Sequence, residues 1–195
     1  MKALISCLFI LTLYSVSAQE SYFGIKTGYA MPQMNGNNES TIDMESFHSS
    51  TFGLVICSEF DNSPLGLTFE PGYVLKGGNA NTDSVNYRLH YANMPVLIDY
   101  YPLSFVKLNA GLEPAFLMQA QNTYPEEHVK LLDDFDKRFE LSATLGVSLS
   151  ISYFLDVNFR YSKGLTKIRE YDAYLQMSDI SNDYTQISLT WKIAN

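Results

Sequence analysis

The chain has 195 residues, a formal net charge of −8, and 46% hydrophobic against 17% charged residues. That length suits one domain, and the acidic balance argues against a nucleic-acid partner. Of the two cysteines, Cys7 and Cys57, the first falls in the leader described next, so an exported chain would have no internal disulfide.

Residues 1–18 read as a secretory signal peptide. Lys2 supplies the positive charge, Ala3 to Tyr14 the apolar stretch, and Val16-Ser17-Ala18 the small-residue cleavage site. The stretch is short of the ~20 residues of a spanning helix. Most of it follows Cys7, whereas a lipoprotein acceptor cysteine comes after its apolar segment. The mature domain then spans 19–195, with Cys57 as a small, inert strand side chain. No second apolar helix follows, so any entry into a membrane must be as a closed barrel.

From Phe23 onward the sequence keeps a period of two, the signature of extended strands. Phe23, Ile25, Thr27 and Tyr29 face one way, with Gly24, Lys26 and Gly28 between them. Phe52, Leu54, Ile56 and Phe60 alternate with Gly53, Val55, Cys57 and Glu59. Leu65, Leu67, Phe69, Pro71, Tyr73 and Leu75 alternate with Thr68, Glu70, Gly72, Val74 and Lys76. Within Asn86 to Pro102 the oily face is Ala92, Met94, Val96, Ile98 and Tyr100. Arg88 and His90 then fall on that face, which calls for a bulge or for an end that rises above the hydrocarbon. Val106, Leu108, Ala110, Leu112, Pro114, Phe116 and Met118 form the next face. Phe139 to Tyr153 holds the alternation longest, with an oily face against a serine-rich one. Leu155, Val157, Phe159 and Tyr161 follow, and Thr185, Ile187, Leu189, Trp191 and Ile193 close the series. The prediction is all-β, an eight-stranded antiparallel up-and-down transmembrane β-barrel, with bulges near Pro71, Pro95 and Pro114.

Connections alternate in length. Asp61 to Pro64, Pro102 to Ser104 and the turn at Phe154 are tight. Met31 to Ser50, Gly78 to Val85, Gln119 to Lys137 and Gly164 to Asn182 are long, as in outer-membrane barrels. Aromatics sort into two belts. Phe23, Phe60, Tyr100, Tyr101, Phe105, Tyr153, Phe154 and Trp191 fall at the short-turn end. Tyr29, Phe52, Tyr73, Tyr87, Phe116, Phe139, Tyr161 and Tyr184 fall at the other. A soluble, lipocalin-like barrel binding an apolar ligand would turn the same faces the other way. The belts, the loop asymmetry and the glycines on the polar face (Gly24, Gly28, Gly53, Gly72, Gly111, Gly146) favour a lipid-facing exterior around a crowded lumen.

The stretches SYFGIKTGY, FEPGYVLKGG, YANMPVLIDYYP, KLNAGLEPAFLM, FRYSKGLTKI and YTQISLTWKI, in this order, resemble the PorT-like outer-membrane β-barrel family, also labelled porin family or outer membrane protein beta-barrel domain. The resemblance spans essentially the whole mature chain, with RYSKGL and Met94-Pro95-Val96-Leu97 its most specific parts. It implies an eight-stranded barrel in the outer membrane and no single activity; the namesake is linked to type IX secretion. The end, Ile193-Ala194-Asn195, departs from the terminal aromatic common in such barrels.

The polar face carries Lys26, Glu59, Glu70, Lys76, Asp99, Lys107, Glu113, Glu140, Asp156, Arg160 and Lys192, six acids against five bases. Near balance predicts a lumen closed by ion pairs instead of a pore, because buried charge must be paired. The acidic excess falls in the long connections: Glu39, Asp43 and Glu45; Glu126, Glu127, Asp133, Asp134 and Asp136; Glu170, Asp172 and Asp179. Their spacing matches no calcium loop. They read as solvated loops, or as sites for divalent cations bridging lipopolysaccharide phosphates.

For catalysis the one candidate is His48-Ser49-Ser50 with Glu45 nearby, in the manner of barrels that modify lipid A, where a histidine activates a serine. His48 and Ser50 would carry that chemistry. The simpler reading is a polar junction before a strand. No metal spacing, phosphate loop or nucleophile elbow occurs. The sequence therefore predicts a non-enzymatic, monomeric envelope barrel with no cofactor or metal. It acts as a structural component or docks an envelope or secretion partner through its loops, with outer-membrane lipid and lipopolysaccharide around it.

Overall fold

In the computed structural model the described residues are 18–38, 44–80, 86–124, 127–130, 137–172 and 177–194. The leader expected over 1–18 lies outside them, apart from Ala18. The described residues form one antiparallel sheet. Its staves are β1 (Ala18–Asn38), β2 (Ser49–Phe60), β3 (Leu65–Phe69 and Gly72–Ala80), β4 (Asn86–Asn93 and Val96–Leu103), β5 (Val106–Tyr124), β6 (Phe139–Ser152), β7 (Leu155–Gly164) and β8 (Met177–Ala194). Each pairs with the next. β8 pairs with β1 from Phe23↔Ala194 to Asn38↔Met177, which closes the ring. The predicted eight-stranded barrel is the fold.

Ala18, Ala194 and the tight turns at Asp61–Pro64, Ser104–Phe105 and Tyr153–Phe154 lie at one end of the barrel. At the other end the staves run further than the sequence suggested. β1, β5 and β8 continue into the stretches read as loops, and three short segments extend the ladders there: Met44–Glu45 on β3, Glu127–Lys130 on β5 and Arg169–Asp172 on β8.

The solvent on each face explains the alternation. Along the lower staves Ile25, Ile98, Leu145 and Ile187 point outward, with Leu145 59% and Ile98 61% exposed, while Lys26, Asp99, Thr144 and Ser188 are buried inside. The lipocalin-like orientation is thereby excluded: this exterior would be exposed to water, and only lipid satisfies it. Towards the long-loop end the pattern inverts without a change of parity. On β4 the inward residues become Tyr87, Leu89 and Tyr91, and the outward ones Asn86, Arg88 and His90. On β1 Met34 turns inward and Gln33 outward; on β8 Ile180 turns inward beside Asp179 and Ser181. Where lipid lies outside, the core is polar; where water lies outside, the core is apolar. Of the two explanations for Arg88 and His90, the rising end is correct. A bulge does occur between His90 and Tyr91, but the extra residue lies on β5.

The belts need one correction. Tyr87 and Tyr184 are buried in the interior, and Tyr101 turns inward with its hydroxyl 3.4 Å from Cys57 Sγ. Of the other belt residues, Phe23, Phe60, Tyr100, Phe105, Tyr153 and Trp191 are exposed at one end, and Tyr29, Phe52, Phe116, Phe139 and Tyr161 at the other.

The prolines break ladders without leaving carbonyls idle. β3 is interrupted at Glu70-Pro71 and β4 at Met94-Pro95. Leu54 N donates to Pro71 O at 2.9 Å, Glu70 N to Pro95 O at 3.0 Å, and Met94 N to Pro114 O at 2.9 Å. The missing proline donors thus fall along one line across the sheet.

The lumen is as crowded as its glycines suggest. A Cβ at Gly146 would stand 2.6 Å from Arg160 Cγ and 2.7 Å from Asn109 Oδ1. Gly146→Val should therefore lower the unfolding free energy by about 1–3 kcal/mol, the usual cost of overpacking. Urea titration of the refolded barrel measures this, and an unchanged midpoint would show that Arg160 moves aside freely.

Candidate functional site

The interior is built in layers. Lowest, towards the tight turns, Lys192 meets Asp156 at 2.8 Å and Ser150 Oγ donates to the same carboxylate at 2.8 Å. Next, Lys107 lies 3.5 Å from Asp99 and donates to Tyr22 Oη at 3.0 Å, while Thr68 Oγ1 donates to Asp99. Above them Glu70 accepts from Lys26 Nζ at 2.7 Å and from both terminal nitrogens of Arg160, one at 2.7 Å. Higher still, Lys76 joins Glu113 at 2.9 Å and Glu140 at 2.7 Å. Tyr184 donates to Glu113, and Asn182 to Glu140 at 2.8 Å. Each of the five predicted lumen cations thus has a carboxylate partner. Glu59 lines the lower mouth.

An apolar stopper seals the top. Ala30, Met34, Val74, Tyr87, Leu89, Tyr91, Leu117, Ile168, Ile180 and Tyr184 form one buried cluster. Ile168 comes from the β7–β8 connection, and its amide donates to Ile180 O at 2.8 Å, which holds it inside the mouth. Lys76 Nζ lies 5.2 Å and 5.0 Å from the rings of Tyr91 and Tyr184, joining the ionic layers to the stopper by cation–π contacts. Among the described residues the lower end is open. A polar vestibule of about 400 Å³ there is lined by Tyr22, Glu59, Tyr101, Lys107, Asp156 and Lys192 among others. Sequence reasoning missed the stopper because Met34, Ile168 and Ile180 lie in segments read as loops, while Leu89 and Tyr91 lie on a predicted strand opposite the face read as oily.

The catalytic candidates do not assemble. His48 stands on the outer wall, its Nδ1 bonded to the Tyr29 hydroxyl and its ring 5.2 Å from that of Tyr29. Ser49 is buried and donates to Ala30 O at 3.3 Å, while Ser50 and Glu45 are exposed. Neither a serine nor a carboxylate is bonded to His48 among the described residues. Cys57 is buried as expected, 3.7 Å from Asp99 Oδ2. Of the acidic connections, 39–43, 125–126, 131–136 and 173–176 lie outside the described residues. Among the described ones no group of acids, histidines or cysteines is arranged to hold a metal ion.

Residues 17–170 match the family described as outer membrane protein beta-barrel domain. Among the solved structures that share the fold are three outer-membrane proteins. Neisserial surface protein A has 13% identity and a TM-score of 0.59, over 90% of this chain and 100% of that one. The attachment invasion locus protein Ail of Yersinia pestis, in complex with the heparin analogue sucrose octasulfate, has 13% identity and a TM-score of 0.55 over the same shares. OprG of Pseudomonas aeruginosa has 12% identity and a TM-score of 0.50, over 91% of this chain and 98% of that one. No curated protein matches the chain.

Proposed function

Because the chain belongs to the family of outer membrane protein β-barrel domains, and so resides in the outer membrane, we propose that it is a non-enzymatic envelope protein that works through its outer collar. The leader directs export and is removed before Gln19, and the monomeric barrel sits with both termini on the periplasmic side. One observation carries the reading: the lumen is closed twice, by paired charges and by the stopper held by Ile168. Among the described residues no passage runs through the barrel, and the surface left for recognition is the collar that β1, β5 and β8 raise above the apolar band. Loops on a rigid scaffold commonly carry recognition.

The collar's connections are acidic, from Glu39 and Asp43 to Asp133, Asp134 and Asp136. Such charge fits a basic partner and repels a polyanion of the kind held by Ail. The family match does not single out PorT-like members, so a type IX secretion role is no part of this proposal.

In planar bilayers the refolded protein should give no steady conductance, since open channels belong to barrels of ~16–18 strands; a stable open level would overturn the sealed lumen. In a deletion strain, His48→Ala should complement, whereas a chain with Asp133, Asp134 and Asp136 changed to asparagine should not. Failure of His48→Ala together with altered lipid A acylation would instead favour lipid chemistry.

A further inference from the structure

The geometry points to a binding site for the phosphate of an outer-leaflet lipid headgroup on the outer wall of β4, made by Arg88 and His90. It needs only the placement in the membrane and is independent of any collar partner.

Four observations converge on it. First, both residues face outward at the level where the staves change from apolar-out to polar-out. From Tyr100, in the lower belt, to His90 the strand advances roughly 33 Å at about 3.3 Å per residue. At a tilt near 40° that is about 25 Å along the membrane normal, the height of the apolar band of such barrels. Arg88 and His90 therefore lie where headgroups begin.

Second, Arg88 has donors to spare. Its guanidinium carbon lies over the Phe47 ring, 3.8 Å from the centroid, and Nη1 donates to Tyr87 O at 3.1 Å. No carboxylate is bonded to it among the described residues; Glu45, on the segment before β2, is exposed and forms no ion pair with it. A guanidinium carries five N–H donors in a fork that matches a phosphate.

Third, His90 is pre-oriented. The Tyr73 hydroxyl lies 2.6 Å from Nδ1, and the two ring centroids are 6.0 Å apart. With the hydroxyl donating, the ring proton sits on Nε2, a second donor beside Arg88 on the same face of the strand.

Fourth, two other cations of this rim have an acid close by. Lys163 stands in register opposite Asp183, and Lys167 meets Asp179 at 2.5 Å. On the β4 wall, by contrast, Arg88 has no carboxylate bonded to it among the described residues, on a surface that meets the leaflet carrying phosphorylated lipid.

The test uses the full-length mature barrel in detergent, titrated with diphosphoryl lipid A and with the same lipid after removal of its phosphates, bound lipid being counted by native mass spectrometry. Charge-assisted bonds of this kind support at least a tenfold difference. The wild type should retain the phosphorylated lipid about tenfold more tightly, and the double variant Arg88→Gln, His90→Gln should lose that preference while keeping the gel mobility of a folded barrel. Equal retention of the two lipids by the wild type, or an unchanged preference in the folded double variant, would overturn the site. Displacement of the lipid by millimolar inorganic phosphate would overturn the lipid as its source.

Discussion

Replacing Glu70 by glutamine should cost the barrel about 3–5 kcal/mol, the penalty for breaking a buried ion pair from one side. Glu70 is the shared partner of Lys26 and Arg160, and all three are almost wholly buried. The amide keeps hydrogen bonds but leaves two cations with no counter-charge in the middle of the lumen. Adding Lys26→Met to Glu70→Gln removes one of them and should recover part of the loss, a coupling that neighbours in one network show and distant sites do not. Lys167→Ala breaks only an exposed pair with Asp179 and should fall within about 1 kcal/mol. Urea unfolding of the wild type and the three variants in lipid vesicles gives these values. A Glu70→Gln barrel as stable as the wild type would mean that the lumen is wet enough to solvate the two cations, and the sealed interior would fall with it.

The second large effect is on the outside. Leu145 lies on β6 midway between Phe139 and Ile151, and its side chain is 59% exposed. In a water-soluble barrel Leu145→Arg would be nearly free. At the bilayer midplane it should cost about 2–4 kcal/mol, and Ile151→Arg, nearer the lower interface, only about 0–1 kcal/mol. That gradient reports depth directly. Equal small costs at both positions would take the wall out of the hydrocarbon.

The period of two made the membrane wall readable residue by residue. Phe139 to Tyr153 yielded stave, orientation and depth together, because lipid outside and ion pairs inside impose opposite chemistry on alternate positions. The lumen charges were readable for the same reason, and their near balance foretold the pairing of Lys76 with Glu113 and Glu140. What stayed hidden lies above the membrane. There the two faces exchange solvents, so Tyr87, Leu89 and Tyr91 break the oily-outside rule although the strand continues without a slip. Ile168 was hidden more deeply: nothing local marks an isoleucine in a polar connection as the cap of a stopper on Ile180. The His48 triplet showed the opposite failure, where closeness in sequence suggested a site and the fold directed His48 to Tyr29 and Ser49 to Ala30.

The pairing of β1 with β8 also governs how the molecule can be made. Each earlier pairing joins neighbours along the chain, but this seam ties Phe23 to Ala194 and Asn38 to Met177, so nearly the entire length must be looped before it forms. Closing so long a loop carries the largest entropy of any contact here, and contacts of this range slow folding. Until the last stave arrives, β1 and β7 are open edges whose amides and carbonyls have no partner in hydrocarbon, each at a cost of several kcal/mol. A half-finished barrel therefore has no stable place in the bilayer, and insertion has to be concerted with the arrival of the final stave.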